Sequence, residues 1–184
     1  MATPASGPVT LGIPAAAKGG GSQWMGIGVG LIMYFVLEPL ILWYFFQPWI
    51  VNPSKRKSPP PDFYLHAAMY SFFAMVLTAV VLTKTFSTID EANTPLMQWF
   101  GYNNICVYFD TAPSIYICPI YWFTVACLVV SFVKEDSKRV HHLAHVGRWH
   151  KRLALAGNVA FAIVAAAFSL CLAIPPEDDM IMHT

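Results

Sequence analysis

The sequence predicts an all-α integral membrane protein built as a bundle of four transmembrane helices. Of its 184 residues, 57% are hydrophobic and 11% are charged, whereas a soluble domain carries about 25% charged residues. The mean hydropathy is +0.53, which excludes a disordered chain. A net charge of +1 provides no basic field for a nucleic-acid partner.

Four apolar stretches are long enough to cross the roughly 30 Å hydrocarbon core, which needs about 20 apolar residues in a helix. We predict spans at residues 25–47, 64–82, 114–133 and 153–174. Prolines and charges bound them, as helix ends require. Pro48 ends the first span, and Asp62 is a candidate N-cap for the second.

The spans divide the chain into three regions. Residues 1–23 form an extended N-terminal tail of low complexity, 24–176 the membrane domain, and 177–184 a short acidic C-terminal tail.

Basic residues indicate the orientation. The first loop holds three Lys or Arg and the third loop six, against Lys18 and Lys84 on the other side. Because short loops rich in Lys and Arg stay inside, both termini are predicted on the non-cytoplasmic side, or outside the matrix or stroma of an organelle.

The sequence says less about which membrane holds the protein. Asn52 is followed by Pro53, which blocks an N-glycosylation acceptor and mildly disfavours a glycosylated cell-surface protein. We therefore favour an organellar inner membrane, mitochondrial or thylakoid, over the plasma membrane, although the same topology would suit either.

The third loop has an amphipathic pattern. Apolar residues recur there every three or four positions, at Val140, Leu143, Val146, Trp149 and Leu153. Basic residues lie between them. This pattern predicts a basic amphipathic helix in the membrane interface before the fourth span; the alternative is a cytoplasmic extension of that span. Anionic lipid headgroups, and hence bound phospholipid, are the predicted ligands of Lys138, Arg139, Arg148, Lys151 and Arg152.

Glu38 is the first candidate for a functional residue. It lies twelve residues beyond Gly26, hence about 18 Å along a helix and near the bilayer midplane. An intramembrane carboxylate is costly and suggests a function, and the adjacent Pro39 frees a backbone carbonyl. Glu38 could bind a proton or cation. We favour a protonated side chain hydrogen-bonded within the bundle or to a neighbouring subunit, because no second intramembrane acid or base could relay a proton.

Histidines offer a weaker alternative. His66 could face His145 or His150 and clasp a haem b between axial nitrogens. The last two lie in an arginine-rich stretch where solvated or headgroup-binding histidine is common. The sequence itself requires no cofactor.

Cysteines and small residues complete the candidates. Cys106 and Cys118 both fall on the outer side and could form a disulfide if that compartment is oxidising. Small residues let helices approach closely in lipid. Helix packing is therefore predicted at Gly26, Gly30, Gly157 and Ala160.

Three functional hypotheses follow, and no catalytic constellation supports an enzyme. The favoured one is a non-catalytic accessory subunit of a larger membrane complex, of a respiratory or photosynthetic membrane with electron transport, whose partners are other membrane subunits and anionic lipids. The second is an oligomeric proton or cation transporter or channel protomer that uses Glu38. The third is a haem-binding redox anchor that uses His66 and the third-loop histidines.

Overall fold

The computed structural model describes residues 20–52, 58–87, 89, 90, 92, 94, 97, 101, 103 and 105–173, which are helical and contain no strand. The long helices are α1 (Gly20–Val51), α2 (Pro61–Phe86), α4 (Ser114–His142) and α5 (Arg148–Ala173), and α3 (Cys106–Asp110) is short. Among these residues, four helices are long and apolar enough to cross a membrane, which confirms the predicted helical, multi-pass architecture. Most of the N-terminal tail, the whole acidic C-terminal tail and the basic residues of the first loop lie outside the described residues.

The helices are longer than the predicted spans. Pro48 lies inside α1 and does not end it. A proline in a last turn removes one backbone hydrogen bond, and packing of the neighbouring Trp49 ring on Phe63 at 5.2 Å supports that turn. At the start of α2, Pro60 occupies the N-cap, and Asp62 lies in the first turn. The prediction of Asp62 as N-cap was therefore wrong by two positions.

Successive long helices run antiparallel, and α2 packs against both α1 and α4. The side-chain pairs that fix these directions are Glu38–Ser71 and Phe45–His66 (α1–α2), Thr78–Tyr121 and Thr83–Ser114 (α2–α4), and Asp136–Asn158 and Trp122–Ser169 (α4–α5). One end of the bundle therefore holds the last turns of α1 and α4 and the first turns of α2 and α5. We call it the basic end, and the other the opposite end. Which end faces the cytoplasm stays a prediction.

The core comprises two apolar clusters. The cluster nearer the opposite end includes Met75, Leu82 and Ile117, and the one nearer the basic end includes Ala67 and Val125. Burial differs sharply among the helices: α2 buries 44% of its most apolar stretch, and α5 buries 6%. Helix α5 is thus attached along one narrow side and exposes the rest of its apolar surface.

Small residues occupy two different environments. A Cβ atom added at Gly26 would lie 2.6 Å from Pro113 Cγ, and one added at Gly30 would lie 2.7 Å from Ile117 Cγ1. Both glycines therefore let α1 approach α4 closely. A Cβ atom at Gly157 would meet nothing within 4 Å, and Ala160 is exposed. The structure places this second pair on the surface of α5.

The amphipathic stretch of the third loop is divided between two helices. Helix α4 continues to His142, α5 begins at Arg148, and residues 143–147 connect them. The extended backbone of Leu143 ends the first helix, and the Gly147 carbonyl accepts the first hydrogen bond of the second, from the Lys151 amide. The expectation of one continuous helix is corrected here. Its position in the membrane interface stays a prediction.

Candidate functional site

Glu38 lies inside the bundle of this chain. Its side chain is 2% exposed, and the Ser71 hydroxyl of α2 donates a 2.9 Å hydrogen bond to Glu38 Oε2. The other carboxyl oxygen, Oε1, is buried and has no hydrogen-bond partner. Pro39 and its neighbour Leu40 are exposed on the outer surface of α1. The proline therefore faces away from the carboxyl group that it follows.

Further hydrogen bonds continue from Glu38 toward the opposite end. The Tyr34 hydroxyl lies 2.9 Å from Thr124 Oγ1. Thr78 Oγ1 donates a 3.0 Å hydrogen bond to the Tyr121 hydroxyl oxygen. The two tyrosine rings meet edge to face, with their centroids 5.0 Å apart. These contacts join α1, α2 and α4 through polar groups.

The last step lies where α2 ends and α4 begins. The hydroxyl oxygens of Thr83 and Ser114 are 3.0 Å apart, and Ser114 also donates to the Ala79 carbonyl at 3.1 Å. We use the term polar ladder for the eight side chains of this arrangement: Tyr34, Glu38, Ser71, Thr78, Thr83, Ser114, Tyr121 and Thr124. At 1.5 Å per residue, its positions on α2 span about 18 Å. The ladder thus covers roughly half of a bilayer.

The sequence analysis identified Glu38 alone as the candidate within this arrangement. Single hydroxyl groups in an apolar stretch resemble ordinary membrane-helix composition, so the others gave no separate indication. A usable indication was the spacing of seven between Ser71 and Thr78 and between Ser114 and Tyr121. Positions seven apart lie on nearly the same face of a helix.

An apolar layer separates Glu38 from the basic end. It is formed by the second core cluster, whose buried members are Ala67, Ala68, Val125, Leu128, Val129 and Ala165. Beyond it, at the basic end, charged groups link three helices. Arg139 Nη2 lies 2.6 Å from Asp136 Oδ1, and Arg139 Nη1 lies 3.2 Å from Asp62 Oδ2. Asn158 of α5 donates to Asp136 Oδ2 at 3.0 Å.

Several predicted headgroup ligands have partners within the protein. Besides Arg139, Lys138 Nζ lies 2.7 Å from Glu135 Oε1, and Lys151 Nζ donates to the His141 carbonyl at 3.1 Å. Arg148 and Arg152 are exposed on the first turns of α5. The structure therefore divides the five predicted ligands into three with protein partners and two that point outward.

The haem candidates lie at separate places. His66 stacks on the Phe45 ring, with centroids 6.3 Å apart and planes inclined by 8°. His145 and His150 are exposed near the α4–α5 connection. The structure thus places His66 at the α1–α2 contact and does not show it facing either histidine. Across the described residues, no three His, Cys, Asp or Glu side chains cluster as a metal site would require.

The predicted disulfide is not formed in the structure. Cys118 is buried in the core and Cys106 is half-buried in α3, and no disulfide joins them.

Comparisons with protein-family models, with curated proteins and with solved structures find no match to this chain. The geometry alone therefore supports a functional proposal. Chemically, the polar ladder can cross-link three helices and can hold one proton at Glu38. The exposed face of α5 can contact lipid or another protein.

Proposed function

We propose that the protein is a non-catalytic accessory subunit of a larger membrane complex, in an energy-transducing membrane such as a respiratory or photosynthetic one. The observation that carries this proposal is the exposure of α5, which buries 6% of its most apolar stretch. Gly157 and Ala160 lie on that exposed surface. Small residues on a lipid-facing surface permit close approach of a helix from another chain.

The polar side chains of the bundle also support this role. Most hydroxyl groups of the polar ladder bond to another helix of the same chain. They therefore fix the positions of α1, α2 and α4, and do not converge on a reacting group. A rigid three-helix core that presents a fourth helix outward is suited to holding neighbouring subunits in place.

The test is native size after extraction in a mild detergent, with the co-purifying chains identified by mass spectrometry. We expect migration within an assembly of several different chains. Gly157→Leu should release the protein from that assembly, because the larger side chain blocks close helix approach. Gly28→Leu is the matched control, since Gly28 also has open space around its Cβ position but lies on α1. A particle that contains this chain alone would refute the proposal.

A second candidate function is proton or cation transport through an oligomer. The unpartnered Oε1 of Glu38 favours it, together with the polar ladder that leads from Glu38 to the opposite end. The apolar layer beyond Glu38 would have to open during transport. Glu38→Gln keeps an oxygen that can accept from Ser71, so the fold should persist while transport into proteoliposomes is lost. Undiminished transport by this variant would eliminate the candidate.

A further inference from the structure

The basic end carries an uncompensated positive surface on the first turns of α5. Sequence positions 137–176 contain no Asp or Glu. The two preceding acids are already paired, Glu135 with Lys138 and Asp136 with Arg139. The charges of Arg148 and Arg152 therefore face outward with no acidic residue nearby along the chain.

These two arginines share one face of the helix. They are four positions apart in α5, which begins at Arg148, and residues at this spacing have Cβ atoms about 5–6 Å apart. Guanidinium groups form paired hydrogen bonds with phosphate oxygens. Two of them one turn apart can hold one phosphate group between them.

Apolar side chains mark the depth of this pair in the bilayer. Trp149 is 71% exposed and Leu153 is 62% exposed, also four positions apart. The long apolar part of α5 begins at Leu153. Tryptophan favours the headgroup level, so Arg148 and Arg152 lie where the hydrocarbon core gives way to phosphate.

We propose that Arg148 and Arg152 form a binding site for the phosphate group of an anionic glycerophospholipid, with Trp149 and Leu153 packed against its glycerol and upper acyl chain. Charge complementarity and depth identify this occupant. Lys138, Arg139 and Lys151 contribute less, because each already has a partner within the protein. The site is independent of the proposed function, since it needs no partner protein.

The experiment measures retention of added phosphatidylglycerol by the purified full-length protein, using native mass spectrometry from detergent micelles. The double variant Arg148→Gln/Arg152→Gln is compared with Lys138→Gln/Lys151→Gln, which removes the same charge from the same end. At about 1 kcal/mol per basic residue near a membrane surface, the arginine variant should bind on the order of 30-fold more weakly. The lysine variant should retain most of its affinity.

Three outcomes would overturn the proposal. Unchanged retention by the arginine variant would exclude the site. Equal losses in both double variants would indicate a diffuse charge effect. Inorganic phosphate that displaces the lipid at equal concentration would show that the site takes free phosphate, because an acyl-chain contribution from Trp149 and Leu153 would then be absent. Circular dichroism should confirm that all variants remain helical.

Discussion

The Ser71 hydroxyl donates a 2.9 Å hydrogen bond to Glu38 across the α1–α2 contact, and both side chains are almost fully buried. Only one carboxyl oxygen of Glu38 is served by this bond, and the other has no hydrogen-bond partner. Burial of an incompletely bonded polar group is unfavourable. The bond from Ser71 therefore offsets part of a cost that α1 would otherwise bear in full.

We expect Ser71→Ala to lower the free energy of unfolding by about 1 kcal/mol, because it leaves both oxygens of Glu38 without a donor. Equilibrium unfolding in mixed micelles of a mild detergent and dodecyl sulfate would measure the change. Ser131→Ala is the control, since Ser131 donates within its own helix to the Cys127 carbonyl. In a Glu38→Leu background, the cost of Ser71→Ala should nearly disappear. Equal costs in both backgrounds would contradict the coupling.

The Thr78–Tyr121 hydrogen bond should contribute modestly. Tyr121→Phe removes the acceptor of the 3.0 Å hydrogen bond from Thr78, and we expect a loss of about 0.6 kcal/mol, typical of interhelical hydrogen bonds in membranes. Tyr116→Phe should change nothing, because Tyr116 is exposed. Adding Thr78→Val to Tyr121→Phe should cost less than Thr78→Val alone. Strict additivity in the same unfolding assay would show that the two residues are not coupled.

The glycines of α1 provide a packing test within one helix. A Cβ atom at Gly30 would lie 2.7 Å from Ile117 Cγ1 and 2.8 Å from Leu82 Cδ1, whereas one at Gly28 would meet nothing within 4 Å. Gly30→Ala should therefore destabilise the fold by about 1–3 kcal/mol, the usual cost of overpacking. Gly28→Ala should leave stability unchanged or raise it by less than about 1 kcal/mol. If both substitutions melt at the same temperature, α1 does not approach α4 as described.

At the basic end, two aspartates that pair with the same arginine should differ in their effect. The Asp136 side chain is 11% exposed, and the Asp62 side chain is 57% exposed. Asp136→Asn should cost about 1–3 kcal/mol, since it breaks a mostly buried ion pair beside Asn158. Asp62→Asn should cost less than about 1 kcal/mol, as exposed pairs do. A larger loss for Asp62→Asn in denaturant titrations would reverse this ranking.

The sequence predicted the helices better than their partners. Spans of about 20 apolar residues follow from the thickness of the bilayer, so their number and approximate position needed no tertiary information. The ends of α1 and α4 were missed because a last turn can persist through packing, as Trp49 on Phe63 shows, or through ion pairs such as Arg139 with Asp136. Neither contact is visible to a hydropathy pattern.

The candidate site was predicted through Glu38 and no further. A carboxylate inside a span is conspicuous in any membrane sequence, but its donor Ser71 lies 33 positions away, and serine is ordinary in such helices. The five basic residues of the third loop likewise appeared equivalent in the sequence. Only side-chain geometry distinguishes Arg139, which pairs with two aspartates, from the outward-facing Arg148.

Because the partners of the polar ladder come from different helices, they emerge from the ribosome at different times. Glu38 meets Ser71 within the first helical hairpin, but Thr78 must await Tyr121, 43 positions later. A nascent chain halted before Ser114 would therefore expose the hydroxyl groups of α2 to lipid while its carboxyl group is already shielded. The half-synthesised hairpin is thus the stage at which an insertion chaperone would be most useful to this protein.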